Sequence, residues 1–215
     1  MNRILDLVEQ RQRMFADHPF FARMHRDAPY PSIAEVVPQL AFWILTFHDL
    51  LELAEDRMVD PALREIVRHH RAEESGHDVW YLEDLNRLGV QVPSAVELFG
   101  PVHERTRRGS YALMAEAIRS ESDWVRIALV LTMEATGAVF FTHASAYTNW
   151  PASGLMFFSD HHLQVEKAHE LFERRMHAFL RAQELTDAEY ETTAAAVVRG
   201  FAAFDHMFDG MEGQT

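Results

Sequence analysis

Cysteine is absent from the 215 residues, which removes disulfides, thiolate zinc sites, iron–sulfur clusters and thiol nucleophiles together. Glycine (9) and proline (8) are few for a chain of this length. An all-β sandwich, with a turn about every ten residues, is therefore disfavoured. Basic residues are outnumbered, 20 Lys and Arg against 33 Asp and Glu, for a net charge of −13. That balance repels phosphate backbones and anionic bilayers, so neither nucleic acid nor a membrane surface is an expected partner. The longest apolar stretch, Ile127 to Thr142, is interrupted by Thr132, Glu134 and Thr136 and reads as too short and too polar for a membrane span. The first residues, MNRILDLVEQRQRMF, carry charge in every turn and lack the apolar centre of a signal peptide, which leads to the expectation of a cytoplasmic protein.

What remains is an apolar fraction of 48% against 25% charged, the balance of a folded, soluble chain. At this size folding buries roughly 70% of the unfolded surface, so no metal is needed merely to hold the chain together, and a metal would be there for chemistry. Period and punctuation predict a single all-α domain over residues 1–215, a bundle of about seven helices. The first spans roughly 3–16, and the second runs from Ser32 to Arg57 with a bend or restart at Pro38. Asp60 and Pro61 signal the start, and Gly89 the stop, of one long third helix. Weaker segments follow at 94–106 and 110–119. Ser120 and Asp123 resemble a capping box for an apolar helix ending near Tyr147, and NWPASG (149–154) reads as a loop. A long amphipathic helix is expected from Leu155 to Gln183. Thr186 and Glu189 form a capping box for a last helix ending near Phe208.

Two segments carry the chemistry. HHRAEESGH places His70, Glu74 and His77 at relative positions 0, 4 and 7, and HHLQVEKAH places His162, Glu166 and His169 at the same spacing. On an α-helix these positions share one face, so each helix presents two imidazoles and a carboxylate in a stripe. With 13 His and 33 acidic residues in the chain, such a triplet arises by accident on the order of 0.1 times per chain, so two copies are a signal. In RIALVLTMEATGAVFFTH, Glu134 is the only ionisable side chain between Arg126 and His143. A carboxylate buried there must be protonated, paired or bound to a cation.

Glu74-x-x-His77, Glu134 and Glu166-x-x-His169 together fit a carboxylate-bridged pair of metals in a helical bundle. With imidazole and carboxylate donors and no thiolate, iron or manganese is the natural occupant and zinc the alternative. His48 and Glu52 in TFHDLLE, one turn apart, are candidates for a further contribution. Simpler readings stand beside each piece. A His pair seven apart can be a polar seam, Glu134 can pair with Arg126 or Arg174, and His48 with Glu52 can be structural. His69, His161 and Glu73 leave the inward phase of each stripe open by one residue.

Helices bearing HHRAEESGH, MEATG and HHLQVEKAH in this order resemble the haem-oxygenase-like di-metal oxidases and oxygenases, a family of iron-containing redox enzymes, over about Ser32 to Phe208. The family's His, acid, His ligand motif is matched by His162, Glu166 and His169, its isolated Glu by Glu134, and its earlier His by His77. It departs at His70, where a Glu is common; here that carboxylate would come from Glu73 or Glu74. The resemblance implies a haem-oxygenase-like fold and a nonhaem enzyme, most simply with two iron ions, that activates dioxygen on a small organic substrate, with Glu74 and Glu134 as catalytic carboxylates. A homodimer is compatible with it. Haem oxygenase itself would need His18 or His25 as axial ligand and leaves both stripes unexplained, and the thiamin-degrading enzymes of this fold need a cysteine. A cofactor-independent oxidase of the same fold, or a non-enzymatic metal-storage, sensing or scaffold bundle, are the other readings.

Overall fold

Scarce Gly and Pro and apolar residues at helical spacing leave the chain little but helix to form. In the computed structural model, which describes residues 1–24, 28–168, 176 and 178–212, no strand occurs among the described residues. In chain order the helices are α1 (Asn2–Ala16), α2 (Pro19–Arg23), α3 (Tyr30–Ala34), a 3-10 turn (Val37–Leu40), α4 (Ala41–Arg57), α5 (Pro61–Glu73), α6 (His77–Arg87), α7 (Ala95–Leu98), α8 (Glu104–Arg119), α9 (Asp123–Ala146), α10 (Asp160–Ala168) and α11 (Asp187–Glu212). The restart at Pro38 is present as the 3-10 turn. Thr186 and Glu189 also cap α11 as expected, the Glu189 carboxylate accepting from the Thr186 N–H at 2.8 Å and the Thr186 hydroxyl accepting from the Glu189 N–H at 3.3 Å.

α9 is the central rod. It packs against α1, α4, α5, α8, α10 and α11, and Ile127, Ala128, Leu129 and Val130 are successive buried residues, so burial runs right round the helix. Its two mid-helix threonines return their hydroxyl protons to the helix itself, Thr132 to the Ala128 carbonyl (2.8 Å) and Thr136 to the Thr132 carbonyl (3.0 Å), so they add no unsatisfied group to the core. By length and composition α9 does qualify as a membrane-spanning helix, contrary to the sequence reading; 72% of its apolar window is buried inside the fold. At one end of the bundle, Phe208 of α11 meets Phe15 and Phe20 edge-on at 5.3 and 4.7 Å between ring centroids. Each such pair contributes roughly 0.5–1.5 kcal/mol beyond the area it buries.

Four expectations are corrected. The long third helix is two helices. α5 begins as predicted, with the Asp60 carboxylate accepting from Ala62 and Leu63 N–H at 2.8 and 3.1 Å, but the chain breaks after Glu74 and restarts at His77 through Gly76 in the left-handed region (φ 98°). A Cβ at Gly76 would meet nothing within 4 Å, so the glycine is required by its dihedral angle, not by crowding. The helix expected from Leu155 starts only at Asp160. The break expected between 106 and 110 is absent, because Gly109 continues α8 where Met207 and Ala203 of α11 come too close for any Cβ. Finally, Ser120 and Asp123 form no capping box. The Ser120 hydroxyl accepts from the Ser122 N–H, while Asp123 binds Arg126 and the N–H groups of Val59 and Asp60.

Candidate metal centre

The break at Gly76 turns the His70, Glu74, His77 series from a stripe along one helix into a corner. His70 lies in the last turn of α5, Glu74 ends that helix and His77 opens α6. The fold back brings the His77 Nδ1 to 2.7 Å from the Glu74 Oε2. Because a carboxylate only accepts, Nδ1 carries the proton, which in the neutral ring puts the lone pair on Nε2. Across the corner, the Glu134 carboxylate of α9 lies 2.9 Å from the His70 Nε2. One ligand atom each from His70, Glu74 and Glu134 lie within 4.8 Å of one another. Donors to one small cation sit about 2.0–2.2 Å from it and so about 3–4 Å apart, a spacing within the 4.8 Å that bounds this triad.

His162, on the first turns of α10, enters from the other side. Its ring centroid is 4.4 Å from that of His77 and 3.8 Å from that of Phe141. Its Nδ1 is 3.1 Å from the Phe157 carbonyl oxygen. The carbonyl can only accept, so this contact also fixes the proton on Nδ1, the arrangement typical of a metal-binding imidazole held by a backbone acceptor. The turn that presents Phe157 is itself pinned by Asp84 of α6. That carboxylate is 0% exposed and accepts the N–H groups of Met156, Phe157 and Phe158 at 3.0, 2.8 and 3.1 Å, with Arg87 alongside at 3.0 Å. Asp84 therefore sets where α10 begins, and with it where His162 stands.

Glu74 is buried. Burial by itself pushes its carboxyl up, but the hydrogen bond from His77 and the positive potential of His77, His70 and His162 outweigh it and hold the carboxyl below its ordinary range. It is thus a carboxylate ready for a cation. Glu134 is less enclosed than expected, with 23% of its side chain exposed, and it opens onto a cavity. Arg126 is not its partner, being used up on Asp123 at 2.8 Å and on the Ala117 and Ser120 carbonyls at the α8–α9 junction. Arg174 lies outside the described residues.

The cavity has a volume of about 300 Å³. Its apolar walls are Trp43, Ile44 and Phe47 from α4 and Met133 and Phe141 from α9, with Phe157 before α10. Glu74, His77, Glu134 and His162 look into it, as do His48 and Asp78. The phase questions left by the sequence are thereby answered. Glu73 pairs with His69 at 3.2 Å on the outer side of α5, so the inward carboxylate is Glu74. His161 is exposed and meets the edge of Trp80, so the inward imidazole is His162. Glu52 faces Arg71 at 3.4 Å and takes no part, whereas His48 does line the cavity. Of Glu166 the backbone alone is described, on α10 one turn after His162, and His169 lies outside the described residues.

Sequence reasoning missed Asp78 and Asp84, which stand in ordinary charged helical stretches with no spacing signal. It missed Trp43 because an aromatic on an apolar helix reads as core. For the haem alternative, the His18 ring is committed, with Nδ1 accepting from the Phe20 N–H at 3.1 Å and Nε2 at 3.2 Å from Asp209; His25 lies outside the described residues. Compared with known proteins, the chain matches no family model and no curated sequence.

Proposed function

We propose that the protein is a nonhaem metal oxidase or oxygenase, with a di-iron centre in a haem-oxygenase-like bundle, acting with dioxygen on a small organic substrate. The observation that carries the reading is the convergence of His70, Glu74 and Glu134 from two helices at the wall of an apolar cavity. A cation at that triad is bound by one imidazole and two carboxylates, donors suited to iron or manganese. His77 and His162 stand beside it with Nδ1 protonated and would be ligands to a second ion; the spacing of Glu166 and His169 in the sequence makes them candidates for the same ion. When bound, iron supplies the electrons and the site for dioxygen reduction.

The chain's own residues do the rest. Glu74, hydrogen-bonded by His77, would be a ligand to the metal, and Glu134, at the cavity edge, is placed to accept a proton from a bound substrate. Trp43, Phe47, Phe141 and Phe157 exclude water and hold the substrate's apolar body against the metal-binding side chains. The apolar cavity favours this reading over metal storage, which calls for acidic groups leading to a solvent-open site.

The test is anaerobic reconstitution with ferrous iron followed by metal analysis and oxygen exposure. Uptake of about two equivalents is expected, lowered in Glu134→Ala and His169→Ala, with oxygen consumption only in the loaded protein. Unchanged uptake in both variants overturns the reading.

A further inference from the structure

Two polar side chains face the cavity without belonging to the convergent triad. His48 projects from the same face of α4 as Trp43, Ile44 and Phe47, and Asp78 is the second residue of α6. Neither makes a hydrogen bond or an ion pair among the described residues. None of the described residues lining the cavity is Lys or Arg. The described lining thus offers the free carboxylate or phosphate of a substrate no Lys or Arg, and such a group would sit against Asp78. Glu74 is paired with His77 and Glu134 with His70, so Asp78 is the carboxylate left on the described wall, and a charge facing apolar surface is most stable with an opposite one beside it. The rings of Trp43, Phe47 and Phe141 also line the cavity, and an aromatic ring attracts a cation brought to its face.

We propose that the cavity recognises a small primary amine with an aromatic or aliphatic body, its ammonium held by the Asp78 carboxylate with the His48 imidazole as a second acceptor. At about 300 Å³ the space is at the small end of ligand pockets, which suits a one-ring or short-chain amine. The proposal names the substrate class of the site described above and rests on that reading for the reaction, while recognition of the ammonium does not depend on it.

The experiment titrates the protein with 2-phenylethylamine, 2-phenylethanol and 3-phenylpropionate, followed by quenching of tryptophan fluorescence, in metal-free and in zinc-loaded form, with Trp43→Phe identifying the reporting residue. The amine is expected to bind at least about tenfold more tightly than the alcohol in both forms, and more tightly than the carboxylate in the metal-free form. Asp78→Asn removes this preference and leaves alcohol binding in place. Equal affinity for amine and alcohol, or a preference that survives Asp78→Asn, overturns the proposal. If Asp78→Asn instead loosens the first turn of α6, seen as lost helicity, the three-compound series on the unaltered protein decides. Zinc uptake without an amine preference removes this proposal alone, and an amine preference without zinc uptake removes the metal reading alone.

Discussion

Glu74 and Asp84 are two buried acids only ten residues apart, and they do opposite jobs. Glu74 is surrounded by imidazoles, so its negative charge is available to a cation. Asp84 is surrounded by backbone N–H groups, so its charge is spent on shaping a turn. Removing Asp84 leaves three N–H groups buried or half-buried without an acceptor, and each costs about 1–3 kcal/mol. Asp84→Ala is therefore expected to lower unfolding stability by about 3 kcal/mol or more in a urea titration, and to weaken metal uptake because His162 loses its support. A loss below about 1 kcal/mol contradicts the role assigned to the turn. The sequence makes the two His and acid series conspicuous by their spacing, and four of their six members, His70, Glu74, His77 and His162, do meet, together with the isolated Glu134. Spacing could not separate Glu73 from Glu74, or His69 and His161 from their neighbours. One residue of phase depends on which face the rest of the bundle covers, and that is a tertiary property.

At the scale of elements the informative error is the third helix. Asp60-Pro61 and Gly89 are genuine start and stop signals, but the Ser75-Gly76 dipeptide between them is a turn signal too, and here it outweighs the helical propensity on either side. Gly76→Ala forces a Cβ into a left-handed conformation, costing roughly 1–2 kcal/mol. The expected outcome is a melting temperature lower by several degrees and weaker metal binding, as His77 swings away from Glu74. An unchanged metal affinity contradicts the corner geometry. A second junction is electrostatic. Arg199 of α11 grips Glu116 of α8 with both nitrogens, at 3.0 and 2.8 Å, and the hydrogen bond from Arg199 holds the Glu116 carboxyl below its ordinary range. A depressed carboxyl contributes stability that is present above the unfolded value of about 4.5 and is lost as pH falls through the folded one. Glu116→Gln should therefore lose about 0.5–1 kcal/mol at pH 7 and less at pH 3, measured by denaturant titration. Equal losses at both pH values contradict the charge assignment. The last helix was legible because its capping box is local; the late start of α10 was not, because Asp84 is far away in sequence.

For the whole molecule, composition alone supported an all-helical fold with a core that needs no metal. The central helix α9 shows why composition stops there: by length and apolarity it resembles a membrane span, and only the helices packed round it reveal that its apolar surface is covered. Chelation should leave the far-ultraviolet circular dichroism unchanged. Restoring metal at about 100 times its dissociation constant should add about 2.7 kcal/mol, or roughly 5–10 °C in melting temperature. Unfolding on chelation contradicts the self-sufficient core. The most direct measurement is anomalous diffraction from crystals grown with manganese or ferrous iron. A peak within bonding distance of His70, Glu74 and Glu134 is the expected result; a well-diffracting, metal-soaked crystal with no peak there, or with His70 and Glu134 still paired and the metal elsewhere, contradicts it.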